Sequence, residues 1–157
     1  MSIDTGLRQA ELLGLRWPDI DFEGRTLTVR ETLQRVDREY VLGPPKSETS
    51  CRTVALSDLS LKALRDEREA QIAARQVASR RCRETIPGLV FTTSLGAPRN
   101  GSSLTHALQK ALHATGLRPL RWHDLRASTA ASWSRPGGMT TARDRLGHSS
   151  IAVTSTF

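Results

Sequence analysis

Apolar side chains recur at Leu7, Leu12, Leu13 and Leu15 with polar residues between them, which predicts a helix over residues 5–16. Thr5 is placed to act as its N-cap, and Trp17-Pro18 ends it, because the residue before a proline is pushed out of the helical region. From residue 19 to residue 56 the period shortens. Phe22-Glu23-Gly24-Arg25 reads as a turn, and Thr26 to Val29 alternates toward a β pattern. A second strand is predicted over residues 39–42, punctuated by Gly43-Pro44-Pro45, and a third over residues 52–56. Ser57-Asp58 then caps a long helix running to about residue 80, whose basic end spans residues 75–84. Val90-Phe91 predicts a short strand before the turn Gly96-Ala97-Pro98. A helix follows over residues 102–115, closed by Gly116. Two further helices are predicted over residues 123–134 and 139–146, separated by Pro136-Gly137-Gly138, and residues 150–157 read as the approach to another. The order predicts an α+β fold, mostly helical, with a small antiparallel β-sheet near the N-terminus.

Composition narrows the function classes. The chain has 157 residues, of which 38% are hydrophobic and 25% charged, enough to bury a core. No run of 18 apolar residues exists to span a bilayer, and the first residues carry no apolar signal core. Two cysteines, Cys51 and Cys82, exclude a disulfide scaffold and a four-cysteine zinc site, and suit a reducing cytoplasm. Charge is more telling. Residues 1–60 carry a net of −2 and residues 61–157 a net of +9, and 20 of the 23 basic residues are arginine. A lopsided basic balance suits a polyanion, and arginine forks onto phosphate oxygens in two-point contacts that lysine cannot make. Charge alone reads equally well as a solvated basic surface.

Four places combine chemically useful residues with turn or helix-start positions. Arg8 lies in the first turn of the first predicted helix, Lys46 in a loop between two strands, His123 and Arg126 three apart at a helix start, and His148 after Leu146-Gly147. Two arginines, one lysine and two histidines with no carboxylate cluster beside them can bind and polarise a phosphate, and they do not make a divalent-metal site. Glu11 and Asp124 are placed to orient neighbouring arginine and histidine side chains. Taken singly, each has a plainer reading: a surface arginine, a hairpin-tip lysine, a capping or a core histidine.

Taken in order, these segments resemble the catalytic domain of the tyrosine recombinases, the phage integrase family. TGLRQAELLGLRWPDIDF resembles the first family box, PPKSETSCRTVALS the β-hairpin lysine segment, WHDLRASTA the His-x-x-Arg box and RLGHSS the Gly-His box that follows. The resemblance implies roles. Arg8 and Arg126 would bind the scissile phosphate on two faces. Lys46 would be the general acid for the leaving 5′-hydroxyl, His123 would assist proton transfer, and His148 would bind a non-bridging oxygen. Glu11 would buttress the first box. The partner implied is double-stranded DNA, with other recombinase protomers, and the place is the cytoplasm at the nucleoid, with no membrane. A 3′-phosphotyrosine link stores the bond energy, so no metal and no other cofactor is implied.

The resemblance also sets a nucleophilic tyrosine nine or ten residues beyond His148. Nine residues on is Phe157, so either Phe157 stands in place of the tyrosine or the sequence stops one residue short of it. Tyr40 reads as a strand residue. Residues 1–157 are therefore expected to be a partial catalytic domain, trimmed at both ends and without the N-terminal core-binding domain. It would bind DNA and be inactive alone. The competing expectation is a non-catalytic DNA-binding remnant or regulator of a full-length integrase. Binding of single-stranded RNA is poorly served, because the seven aromatic residues include three tryptophans in helical boxes, where core packing is the plainer use.

Overall fold

The computed structural model describes residues 1–45 and 50–125. The first segment differs from its predicted continuous helix. Ser2–Thr5 form a short helix, α1, and Gln9–Leu13 form a second, α2. Gly6 between them has φ +61, a left-handed conformation that glycine adopts without the Cβ penalty. Arg8 is extended, with φ −64 and ψ 152, and is the N-cap of α2. Thr5 therefore closes α1, its hydroxyl donating to Met1 O at 3.0 Å, and does not cap a helix that follows. The four leucines that suggested the helix are all buried.

The strands are β1 (Ile20–Asp21), β2 (Thr26–Val29), β3 (Thr32–Val36), β4 (Glu39–Gly43) and β5 (Arg52–Ala55). They make two antiparallel pieces: a three-stranded sheet in the order β1-β2-β5, and a two-stranded ribbon of β3 and β4. Strand β3 escaped the sequence pattern because only Thr32 and Leu33 are buried, while Gln34, Arg35 and Val36 face solvent. Asp37 and Arg38 turn the ribbon with φ +48 and +71, as a two-residue hairpin turn requires. The segment carrying Lys46 joins β4 to β5, which do not pair with each other: β4 pairs with β3, and β5 with β2.

Helix α3 (Asp58–Ala78) begins where predicted, with Ser57 Oγ accepting from the Ser60 amide at 3.3 Å. Val90-Phe91 is not a strand. The chain there makes only single antiparallel bridges, Arg16 to Leu89 and Thr92 to Pro98. Helix α4 (Gly101–Ala114) is capped by Asn100 Oδ1 on the Ser102 amide at 2.8 Å, and Gly116 follows it with φ +68. Residues 122–125 form a helical turn; the rest of the predicted 123–134 helix and all later predicted elements lie outside the described residues.

The core gathers the inward face of the sheet, Leu27, Val29 and Val54, against Leu7, Leu12, Leu61 and Leu64 of the helical side, with Trp17 and Trp122 packed at its margin. A second cluster, Leu13, Leu33, Ile86 and Leu89, lies beneath the β3–β4 ribbon. Gln71 in α3 is the polar fastener between them. Its Nε2 donates to Leu89 O (2.9 Å), Val90 O (3.2 Å) and Thr92 Oγ1 (2.9 Å), and its Oε1 accepts from Trp17 Nε1 (2.8 Å). These bonds hold the 89–92 segment in place without a regular strand.

Candidate functional site

The geometry of the first box follows from the break at Gly6. Leu7 is fully buried, so the next residue, Arg8, is carried out of the core with its side chain 39% exposed. Glu11, one turn along α2, has a side chain only 1% exposed. Its Oε2 accepts from the Arg8 amide at 2.8 Å, which caps α2, and its Oε1 accepts from Arg8 Nη1 at 2.7 Å. Arg8 Nη1 also donates to Ser50 Oγ at 3.2 Å. Among the described residues Arg8 Nε and Nη2 have no partner.

Sequence reasoning missed Arg52. Its side chain is 5% exposed and forks onto both oxygens of Glu11, with Nη2 to Oε2 at 2.9 Å and Nη1 to Oε1 at 3.3 Å. Arg52 Nη1 also donates to Ser50 O at 3.1 Å. One signal was available. In Arg52-Thr53-Val54-Ala55-Leu56 the arginine is in phase with Val54 and Leu56, which places it on the core face of β5, where a charge needs a buried counter-charge. Burial pushes the Glu11 carboxyl up. The hydrogen bonds and charge of Arg52, joined by the bonds from Arg8, outweigh burial and hold the carboxyl below its ordinary range. Two guanidinium groups around one carboxylate leave the cluster with an excess positive charge on its solvent side. Ser50, which ends the segment carrying Lys46, is tied to both arginines.

The turn at residues 122–125 lies against the first box. Trp122 Nε1 donates to Leu7 O at 3.4 Å, so the residues next to this bond in sequence, Arg8 and His123, belong to adjoining segments. Trp122 packs on the core and Leu125 is buried, which turns His123 outward. Asp124 Oδ2 accepts from the Arg121 amide at 2.7 Å and so caps the turn. Of the expected site residues, Arg8, Glu11, His123 and Asp124 are therefore described. Lys46, Arg126, His148 and Phe157 lie outside the described residues. Tyr40 is in β4, as expected of a strand residue, with Arg35 over its ring.

The sequence model of the phage integrase family matches residues 1–157. This chain belongs to the phage integrase family. It is 32% identical, over 99% of its length, to the tyrosine recombinase XerC-like protein of Caldanaerobacter subterraneus subsp. tengcongensis. It is 30% identical, over 96% of its length, to the ICEBs1 integrase of Bacillus subtilis. It covers 42% of the first protein and 40% of the second, so the chain spans about two fifths of the curated relatives it matches. Among solved structures, the Tn1549 transposon integrase in complex with circular intermediate DNA superposes with a TM-score of 0.77 at 21% identity, covering 99% of this chain and 52% of that one. The XerA recombinase superposes with a TM-score of 0.74 at 21% identity, covering 98% and 49%. The two structures share the fold of this integrase family chain: small antiparallel sheets beside a mostly helical body. No helix among the described residues is long and apolar enough to cross a membrane.

Proposed function

We propose that residues 1–157 form the phosphate-binding catalytic part of a site-specific tyrosine recombinase that acts on double-stranded DNA, with other recombinase protomers as partners, in the cytoplasm at the nucleoid. The observation that carries this reading is the cluster of Arg8, Glu11 and Arg52, which presents a half-exposed guanidinium from a buried, ion-paired support. In the reaction a tyrosine oxygen bonds to phosphorus and the bond to the 5′-oxygen breaks, leaving a 3′-phosphotyrosine. Lys46 gives the leaving oxygen its proton, with His123 assisting. Charge gathers on the non-bridging oxygens, where Arg8, Arg126 and His148 supply donors held in place beforehand. Glu11 and Asp124 hold the elements that carry Arg8 and His123. Either Phe157 stands in the nucleophile's place or the tyrosine falls just after it, and in both cases residues 1–157 hold no hydroxyl there and bind DNA without cutting it.

The test uses a nicked duplex and a denaturing gel. The unaltered chain should give no covalent adduct. Phe157→Tyr, or a tyrosine added after Phe157, should give one that is lost when Arg8 is also replaced by alanine. An adduct with the unaltered chain, or none with either tyrosine variant while DNA is bound, would overturn the assignment.

A further inference from the structure

We propose that Arg52 is a positioning residue that sets the charge and aim of Arg8, an inference that rests on the phosphate-binding role given to Arg8 above. Glu11 carries one negative charge and meets two guanidinium groups. Arg52 meets it from the core side and spans both oxygens, so the carboxylate cannot rotate about its own axis without breaking a buried bond. That leaves Arg8 a fixed acceptor at 2.7 Å for Nη1, while its side chain as a whole stays 39% exposed. The electrostatics run the same way. With Arg52 present the trio has a net charge of one positive unit, and it emerges at the one exposed member, Arg8. Without Arg52, Arg8 and Glu11 are a neutral pair, and the carboxylate competes with phosphate for the same guanidinium. At 5% side-chain exposure Arg52 is too buried to meet DNA itself, so any effect it has on phosphate binding passes through Arg8.

The experiment measures the salt dependence of duplex binding by the full 157-residue chain, using a fluorescein-labelled duplex, for the wild type, Arg8→Ala, Arg52→Met and the double variant. Loss of one phosphate contact lowers the slope of log K against log salt by about one unit. Arg8→Ala and Arg52→Met should each lower the slope by about one unit, and the double variant should fall no further. Arg52→Lys keeps the charge but cannot fork, and should recover part of the lost slope. If Arg52→Met does not melt cooperatively, Arg52→Lys carries the comparison, with a slope below that of the wild type expected. A wild-type slope in the folded Arg52 variants would overturn the proposal, as would an additive loss in the double variant. An unchanged slope in Arg8→Ala would instead remove the phosphate-binding reading on which the proposal rests.

Discussion

Replacing Glu11 by glutamine changes one oxygen to an NH2 group and removes one charge, with almost no change in shape. Among the described residues Glu11 Oε1 accepts from Arg8 Nη1 and Arg52 Nη1, and Oε2 from the Arg8 amide and Arg52 Nη2. In Glu11→Gln one of those sites becomes a donor facing two donors, and the buried Arg52 charge loses its counter-charge. Breaking a buried pair from one side costs about 3–5 kcal/mol. For a chain of this size each kcal/mol lowers Tm by about 2–4 °C, so Glu11→Gln should melt about 10 °C below the wild type at neutral pH. The pH dependence has a defined sign. The folded-state pKa of Glu11 is depressed, so its contribution is fully present above the ordinary carboxylate range and is lost as pH falls through the depressed value. The gap between wild type and Glu11→Gln should therefore narrow on acidification below about pH 4.5, the unfolded-state range. Circular dichroism melts at a series of pH values measure it. A Glu11→Gln chain melting within 2 °C or so of the wild type at neutral pH, or a gap that widens with acid, would refute the reasoning.

Other outcomes follow from the fold. Gln71→Leu strands the Trp17 indole N–H and the Leu89 carbonyl, at about 1–3 kcal/mol each, and should lower Tm by roughly 10 °C while changing Trp17 fluorescence. Gly14→Ala would place a Cβ 2.7 Å from the Leu33 amide nitrogen, a backbone atom that cannot swing away, so α2 and β3 must separate. A loss of about 1–3 kcal/mol in urea unfolding is expected, and an unchanged midpoint would contradict the close approach. Asp4 accepts from the Ser57 amide and from the Ser57 and Ser60 hydroxyls at 3.2, 2.6 and 2.7 Å. Burial pushes its carboxyl up, but these bonds hold it below its ordinary range. Asp4→Asn should then cost stability at neutral pH and little in acid, as chemical denaturation at the two pH values would show.

The parts of the fold that were legible share one property: their local chemistry agrees with their tertiary role. Ser57 is a capping residue before a helical period, and it caps. Leu7, Leu12, Leu13 and Leu15 are buried even though the helix that joined them in sequence is broken. The break itself was hidden, because Gly6 looks tolerable in a helical pattern until its positive φ is seen. Strand β3 was hidden because the β3–β4 ribbon buries only one end of it, so no alternation marks it. At the site, Arg8 and Glu11 were legible from their spacing. Arg52 and Ser50 were not, because they join the cluster from 41 and 42 residues along the chain, in and just before β5, and a single sequence does not show which strand lies beside α2. Only the phase of Arg52 with Val54 hinted that its charge was buried.

The central claim is that the exposed guanidinium of Arg8, supported from beneath by Glu11, meets DNA phosphate. Fluorescence anisotropy of a labelled duplex titrated with this chain at several salt concentrations tests it most directly. The account predicts reversible, salt-sensitive binding by the wild type, and a slope lower by about one unit in Arg8→Ala. Binding that is absent at low salt, or a slope that Arg8→Ala leaves unchanged, would contradict it.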